Sequence, residues 1–223
     1  MRLDNHKFKG VFTDGKRLFT RSLAPGFRFF DERTFKDGND EYSQWDPRKS
    51  KLAAAIMKGI SDIGVSPGQT VLYLGASHGY TPSFVSDILG EDGFMFALDF
   101  APRVVRDLVF VSERRKNMAP IIADAKHPET YFHELTQVDY VYQDIAQKDQ
   151  AEIFLKNVKL YLKEGGLAFL AVKSRSVDIR KKPKIVFMDV KQKLEKELEL
   201  IDYMDIEPYE MDHCVFLCRK RGA

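Results

Sequence analysis

From about residue 50 onward, the apolar positions fall into short continuous runs separated by polar segments of helix length. Val71-Leu72-Tyr73-Leu74 is the first run, and an unbroken apolar stretch of this length, followed by glycine, predicts a strand buried on both faces. Further strands are predicted at Phe94-Met95-Phe96-Ala97-Leu98, Pro120-Ile121-Ile122-Ala123, Val138-Asp139-Tyr140-Val141-Tyr142 and over 166–172. Two more, near 200–206 and 213–219, close the chain. Between them the pattern predicts helices from Lys51 to Gly59 with Ser50 as cap, from Thr81-Pro82 onward, over 102–117, over 148–162 and over 184–198. The last carries Val190, Leu194 and Leu198 on one face. The resulting order, β-α-β-α-β-β-α-β-α-β-β, predicts an α/β fold: a mainly parallel, doubly wound, seven-stranded sheet with an antiparallel strand at the end.

Residues 1–48 read differently. The stretch 10–20 predicts a β-hairpin, with Asp14-Gly15 suited to the positive φ of its turn. Arg28-Phe29-Phe30, Thr34-Phe35 and Asp37-Gly38 continue as short strands and turns. This region is expected to form a small antiparallel β domain, 1–48, against a main domain, 49–223. Asp46-Pro47 marks the boundary.

Composition narrows the class. A hydrophobic content of 44% with 30% charged residues is that of a globular protein, and no apolar run reaches the length of a membrane span. Met1-Arg2-Leu3-Asp4-Asn5-His6 lacks the apolar core of a secretory signal, so a cytoplasmic location is expected. Cys214 and Cys218 lie four apart on a predicted strand, roughly 13 Å, too far for a disulfide. They are expected to be core thiols, and no metal site is assigned. The net charge is only +2, so any grip on nucleic acid must use a local patch or borrowed affinity.

Candidate chemistry gathers where such sheets bind ligands, at the carboxyl ends of the strands. Gly75-Ala76-Ser77-His78-Gly79 follows the first strand, Asp99 the second, Asp124 the third, Asp144 the fourth and Lys173 the fifth. Asp99 stands twenty residues beyond Gly79, near the spacing at which an acid accepts both hydroxyls of a cofactor ribose. Gly75-x-Ser77-x-Gly79 also matches the nucleophile elbow of hydrolases, with His213 later in the chain. That reading lacks an upstream Gly-rich oxyanion stretch and leaves Lys51, Asp99 and Lys173 idle. A dinucleotide reading lacks the third glycine of Gly-x-Gly-x-x-Gly. A cofactor without a pyrophosphate fits better, and S-adenosylmethionine is the candidate.

Several longer stretches carry a family resemblance. Tyr42-Ser43-Gln44-Trp45-Asp46-Pro47-Arg48-Lys49-Ser50-Lys51-Leu52-Ala53-Ala54-Ala55 is the most specific. Val71 to Ser77, Val85-Ser86-Asp87-Ile88, Asp124-Ala125, Asp144-Ile145-Ala146-Gln147 and Pro208-Tyr209-Glu210-Met211-Asp212-His213 accompany it. With these the chain resembles the fibrillarin family, in the archaeal form without a Gly/Arg-rich tail, over nearly its whole length. The resemblance implies a class I, Rossmann-like methyltransferase fold and 2′-O-methylation of ribose in rRNA and tRNA. It implies S-adenosylmethionine contacts from Tyr80, Thr81, Asp99, Phe100, Asp124, Ala125, Asp144, Ile145, Ala146 and Gln147, beside the turn residues Gly75, Ala76, Ser77 and Gly79. The family's Lys-Asp-Lys-His set would fall on Lys51, Asp144, Lys173 and His213. Tyr80, where the family usually has threonine, is a departure; Ser43, where arginine is common, is another.

In this chemistry Lys173 would orient or deprotonate the ribose hydroxyl, Asp144 would fix a lysine head and favour a cationic sulfonium, and His213 would position the lysines or the phosphodiester. Either lysine could handle the proton. Arg175, Arg180, Lys181, Lys182 and Lys184 crowd the segment after the fifth strand, either as a solvated loop or as phosphate contacts for RNA. The resemblance further implies a box C/D guide RNA, a Nop-family scaffold protein and a kink-turn-binding ribosomal-type protein as partners. Two rival classes are an enzyme methylating a small molecule or a protein side chain, and a non-catalytic assembly subunit. The first often carries an Asn/Asp-Pro-Pro-Tyr-like motif after the fourth strand, unlike Asp144-Ile145-Ala146-Gln147. An intact Lys51, Asp144, Lys173 and His213 set argues against the second.

Overall fold

A computed structural model describes residues 3–222. The N-terminal region forms an antiparallel sheet of β1 (Asp4–Asn5), β2 (Val11–Thr13), β3 (Leu18–Arg21), β4 (Thr34–Asp37) and β5 (Asp40–Trp45), in the order β1-β2-β3-β5-β4. The predicted hairpin is β2–β3, and Gly15 turns it at φ 88°. Arg28-Phe29-Phe30 forms no strand, contrary to expectation. The Glu32 carboxylate accepts the Phe29 and Phe30 N–H groups at 3.3 and 2.8 Å, so a side chain takes the bonds that a neighbouring strand would need.

The main sheet follows α1 (Lys51–Lys58). Its elements are β6 (Thr70–Leu74), α2 (Tyr80–Leu89), β7 (Phe94–Asp99), α3 (Pro102–Ser112), β8 (Met118–Ile122), β9 (Val138–Gln143), α4 (Gln150–Tyr161), β10 (Leu162–Lys173), α5 (Ser174–Val177), α6 (Pro183–Glu197), β11 (Leu198–Asp205) and β12 (His213–Lys220). The strand order is β11-β12-β10-β9-β6-β7-β8. Strands β6 to β10 are parallel, and β12 runs antiparallel between β10 and β11.

Successive residues of each strand face opposite ways, and the two faces are covered by different elements. Val71, Tyr73, Ala97, Tyr142 and Phe169 pack with residues of α1 and α2 and with the N-terminal sheet. Leu72, Leu74, Leu98, Val141 and Leu170 pack with residues of α4 and α6. Cys214 and Cys218 are buried free thiols on this second face.

The N-terminal sheet shares the first core. Trp45 stacks on Phe84 of α2 with ring centroids 5.1 Å apart and planes 9° from parallel. Asp87, also on α2, accepts from Thr20 Oγ1 at 2.6 Å and from Leu23 N–H at 2.9 Å, and pairs with Arg115 at 2.5 Å.

Three boundaries differ from the sequence expectation. Helix α3 ends at Ser112 rather than near Asn117, because the residues beyond it turn inward. Arg115 reaches Asp87, and the Asn117 amide donates to the Ser86 and Gly90 carbonyls at 2.9 and 2.8 Å. Strand β8 therefore begins at Met118, and β10 begins at Leu162 directly after α4, with an irregular register before Leu167. A 3-10 helix over Pro128–Glu134 and the four-residue α5 were not anticipated. No helix among the described residues is long and apolar enough to cross a membrane.

Candidate active site

The turn after β6 has little conformational freedom. Gly75 adopts φ 84°, and a Cβ there would lie 2.2 Å from the Asp144 carbonyl oxygen, so the site tolerates only glycine. The Gly75 and Ala76 N–H groups donate to the Leu98 carbonyl, and the Asp144 N–H donates to Leu74. The ends of β6, β7 and β9 are thereby tied at one edge. Ser77 sits at φ 50°, and its N–H donates to Asp99 Oδ2 at 2.9 Å. The other Asp99 oxygen accepts the Ala101 N–H at 3.1 Å, leaving each oxygen a further lone pair. No hydrogen bond joins Ser77 to a histidine among the described residues, so the hydrolase arrangement is not assembled.

Two cavities flank this turn and share Gly75, Ser77 and Asp144. The smaller, about 290 Å³, adds Asp99, Phe100, Asp124, Ala125, Ile145, Ala146 and Gln147. The larger, about 740 Å³, takes in Lys51, Ala76, Tyr80 and Thr81. Of the expected cofactor residues only Gly79 lines neither cavity. It caps α2 at φ 98° and lies against Leu108.

Sequence reading missed part of the larger wall. Phe29, Phe30 and Asp31 come from the N-terminal loop, Asp107 and Phe110 from α3, and Tyr73 from β6. The clustered aromatics of an otherwise polar loop were the available signal. His78 lines it too, paired with Asp107 at 2.8 Å. Tyr80 turns toward the N-terminal unit: its hydroxyl accepts the Asp46 N–H at 3.2 Å and its ring meets Phe30 and Phe84 edge-on. Burial pushes its phenol up to about 12.

The donor set of the smaller cavity suits S-adenosylmethionine. It offers apolar faces from Phe100 and Ile145, three carboxylates and no basic residue. Such a lining repels a pyrophosphate but accepts a nucleoside and a neighbouring positive sulfur. The opening turn of α2 holds N–H groups without intrahelical partners, which suits the carboxylate of an amino acid.

The four expected catalytic residues meet at the same edge. Lys51, directly after the Ser50 cap of α1, places Nζ 2.8 Å from Asp144 Oδ2. The cap itself is held by Thr81, whose Oγ1 donates to Ser50 Oγ at 3.0 Å. Burial pulls the Lys51 ammonium toward neutrality, but the Asp144 carboxylate and its hydrogen bond outweigh this and hold the group above the usual lysine value. Asp144 therefore fixes Lys51 as a cation.

Lys173 ends β10, and His213 begins the antiparallel β12 as its register partner. Reversal of this one strand carries an N-terminal strand residue to the edge where the other strands end. The Lys173 side chain is exposed, whereas His213 is buried. His213 Nδ1 lies 2.6 Å from the Met211 carbonyl, which only accepts, so Nδ1 carries the proton and Nε2 keeps its lone pair. Burial lowers the His213 pKa below 6.5 despite that bond, and the nearby Lys51 charge acts in the same direction.

The basic segment is more heterogeneous than its sequence suggested. Arg175 donates through Nε to the Asp212 carboxylate, Arg180 pairs with Asp178, and Lys181 pairs with Asp189. Lys182 and Lys184 are exposed and have no acidic partner among the described residues.

The Fibrillarin family model matches residues 3–222. The chain belongs to the fibrillarin family. A fibrillarin-like rRNA/tRNA 2′-O-methyltransferase of Pyrococcus horikoshii is 46% identical over 220 residues, covering 96% of this chain and 97% of the relative. Aeropyrum pernix fibrillarin, solved with natively bound S-adenosyl-L-methionine, superposes with a TM-score of 0.90 at 38% identity, covering 98% of each chain. The fibrillarin of a fibrillarin/Nop5p complex superposes at 0.88 and 33% identity, covering 97% of this chain and all of that one. This fibrillarin thus has the class I methyltransferase fold expected from its sequence.

Proposed function

We propose that this fibrillarin transfers a methyl group from S-adenosylmethionine to the ribose 2′-hydroxyl of rRNA and tRNA, as the catalytic subunit of a box C/D ribonucleoprotein. The carrying observation is the convergence of the Lys51–Asp144 ion pair, which lines the joined cavities, with the Lys173–His213 strand pair, which lines neither but brings His213 within range of the Lys51 and Asp144 charges.

The bound cofactor supplies a methyl group already activated by its positive sulfur. Asp99 would accept from ribose hydroxyls, Phe100 and Ile145 would supply apolar surface for the base, and Asp124 and Gln147 would offer it polar partners. The first turn of α2, at Tyr80 and Thr81, would hold the amino-acid end. Asp144 places negative charge where both cavities meet and favours a cation there. Lys51, held cationic by Asp144, carries positive charge to the reacting edge but has no lone pair for a proton. Lys173 orients the attacking 2′-oxygen and, in its neutral form, takes the proton released as the oxygen–carbon bond forms and the carbon–sulfur bond breaks. His213, neutral at pH 7, supports Lys173 from the adjacent strand.

Lys182 and Lys184 provide the phosphate contacts of the basic segment, with Arg180 and Lys181 as weaker contributors. A net charge of +2 suits an enzyme that leaves selection of the nucleotide to a guide RNA. The similarity to a fibrillarin solved with Nop5p supports a Nop-family scaffold as the docking partner. A kink-turn-binding ribosomal-type protein completes the particle, in the cytoplasm.

The test is a labelled-methyl assay with and without a reconstituted guide particle, followed by mapping of the modified atom. The expected product is a 2′-O-methyl group at the guide-selected nucleotide, formed only within the particle. Methylation of a base or a protein, or site-specific activity of the isolated chain, would overturn the proposal.

A further inference from the structure

Asp212 stands between Met211 and His213 in a left-handed conformation, φ 60°, that few non-glycine residues adopt. Three bonds hold it there. Its carbonyl accepts the Ser174 N–H at 3.0 Å, its N–H donates to Glu207 Oε1 at 3.2 Å, and its carboxylate receives Arg175 Nε. The Glu207 carbonyl is in turn bound by Lys58 Nζ at 2.8 Å, which ties this corner to α1.

The placement is specific. Ser174 directly follows Lys173, and Asp212 directly precedes His213, so the 3.0 Å bond closes the pair of strands just past the Lys173–His213 register. Arg175 then grips the same residue from the first turn beyond β10. The left-handed kink also turns the chain so that the Met211 carbonyl faces His213 Nδ1. The Arg175 charge meets a carboxylate that is only 19% exposed.

We propose that Asp212 is a positioning residue: its left-handed backbone sets the His213 tautomer through the Met211 carbonyl, and its carboxylate, clasped by Arg175 across the ends of β10 and β12, seats the ring beside Lys173. Arg175 then belongs to this clasp and not to the RNA path. The inference rests on the catalytic reading of Lys173 and His213 given above, and extends it to two residues outside that set.

The test compares Asp212→Ala, Asp212→Gly and Arg175→Gln in the full chain. Two readouts are used: the His213 ring nitrogens by NMR, and methyl-transfer kinetics in the guide-loaded particle. Asp212→Gly keeps the backbone conformation and loses the carboxylate, so it retains the Nδ1–H tautomer and loses part of the turnover. Asp212→Ala strains the backbone as well, releases the tautomer and lowers kcat about 10- to 100-fold, with KM for RNA unchanged. Arg175→Gln lowers kcat in the same manner as Asp212→Gly. A rise in KM for RNA and a flatter salt dependence in Arg175→Gln, at unchanged kcat, would make Arg175 a phosphate contact and overturn the clasp. So would an unchanged tautomer and turnover in Asp212→Ala. Absence of methyl transfer in the wild-type particle would count against the functional reading alone, because the tautomer is read without turnover.

Discussion

Lys51 Nζ and Asp144 Oδ2 lie 2.8 Å apart across 93 residues of sequence, joining the start of α1 to the end of β9. Their side chains are only 18% and 26% exposed, so removing one leaves the other largely covered without its counter-charge. Lys51→Met and Asp144→Asn are each expected to lower the unfolding free energy by about 1–3 kcal/mol. The double variant should lose less than the sum, and urea unfolding of all four proteins measures this. Additive losses would mean the pair is not coupled. Because the folded pKa of Lys51 is raised, its stabilisation is complete below the ordinary lysine value and is lost as pH rises through the folded one.

Lys173 presents the opposite case: its side chain is exposed, and its N–H donates to Gln150 Oε1 at 3.3 Å, a bond that does not involve the lysine side chain. Lys173→Ala should therefore change stability by no more than about 0.5 kcal/mol. Methyl transfer in the guide-loaded particle should nonetheless be abolished, as in Asp144→Ala. Thermal melts beside labelled-methyl assays separate the two effects. Near-normal turnover in Lys173→Ala would remove it from the proton step.

His213 makes a pH-dependent contribution whose sign follows from its burial. Its folded pKa lies below 6.5, so the folded state favours the neutral ring. The associated stability is complete above the unfolded pKa and is lost as pH falls below 6.5 toward the folded value, where the unfolded chain binds the extra proton. An NMR titration should place the His213 midpoint below 6.5. The wild-type protein should also lose stability more steeply in that window than His213→Gln. A midpoint at or above the ordinary histidine value would contradict the buried, neutral assignment.

Strands β6, β7 and β10 were legible because each carries a continuous apolar run, and the strand-end positions of Gly75, Asp99 and Lys173 follow from that alone; Asp144 follows the shorter run Tyr140-Val141-Tyr142 of β9. Other relationships depend on chain reversal or distant side chains, which local patterning does not encode. Nothing near Lys173 signals His213 as its neighbour, since that pairing needs the antiparallel insertion of β12 between β10 and β11. The partnership of Lys51 with Asp144 was accessible only through family resemblance. Local pattern also misled where side chains replace backbone partners. Glu32 caps the Phe29 and Phe30 amides, and Arg115 and Asn117 turn inward where a helix was expected.

Asp87 tests how firmly the N-terminal sheet is joined to the rest. Its side chain is 1% exposed, its Arg115 partner is 4% exposed, and Thr20 and Leu23 donate to the same carboxylate. Asp87→Asn leaves a buried guanidinium without its counter-charge, and the expected loss is about 3–5 kcal/mol. Trp45, the single tryptophan, is buried against Phe84 beside this junction. Its fluorescence should shift to longer wavelength in the variant at denaturant concentrations that leave the wild type folded. Coincident wild-type and variant transitions would show that the cluster adds little to docking.

Lys182 and Lys184 differ from their neighbours because no carboxylate faces them among the described residues. Arg175, Arg180 and Lys181 already have carboxylate partners, whose field a phosphate would have to overcome. Replacing Lys182 and Lys184 with Gln should therefore weaken binding of the guide–target RNA. It should also reduce the slope of log affinity against log salt by about 1–2, the release of one counterion per lost contact. Replacing Arg180 and Lys181 should change that slope less. Anisotropy titrations of the assembled particle over a range of salt concentrations make the comparison. An unchanged slope in the Lys182/Lys184 variant would place the phosphate contacts on another face of the protein.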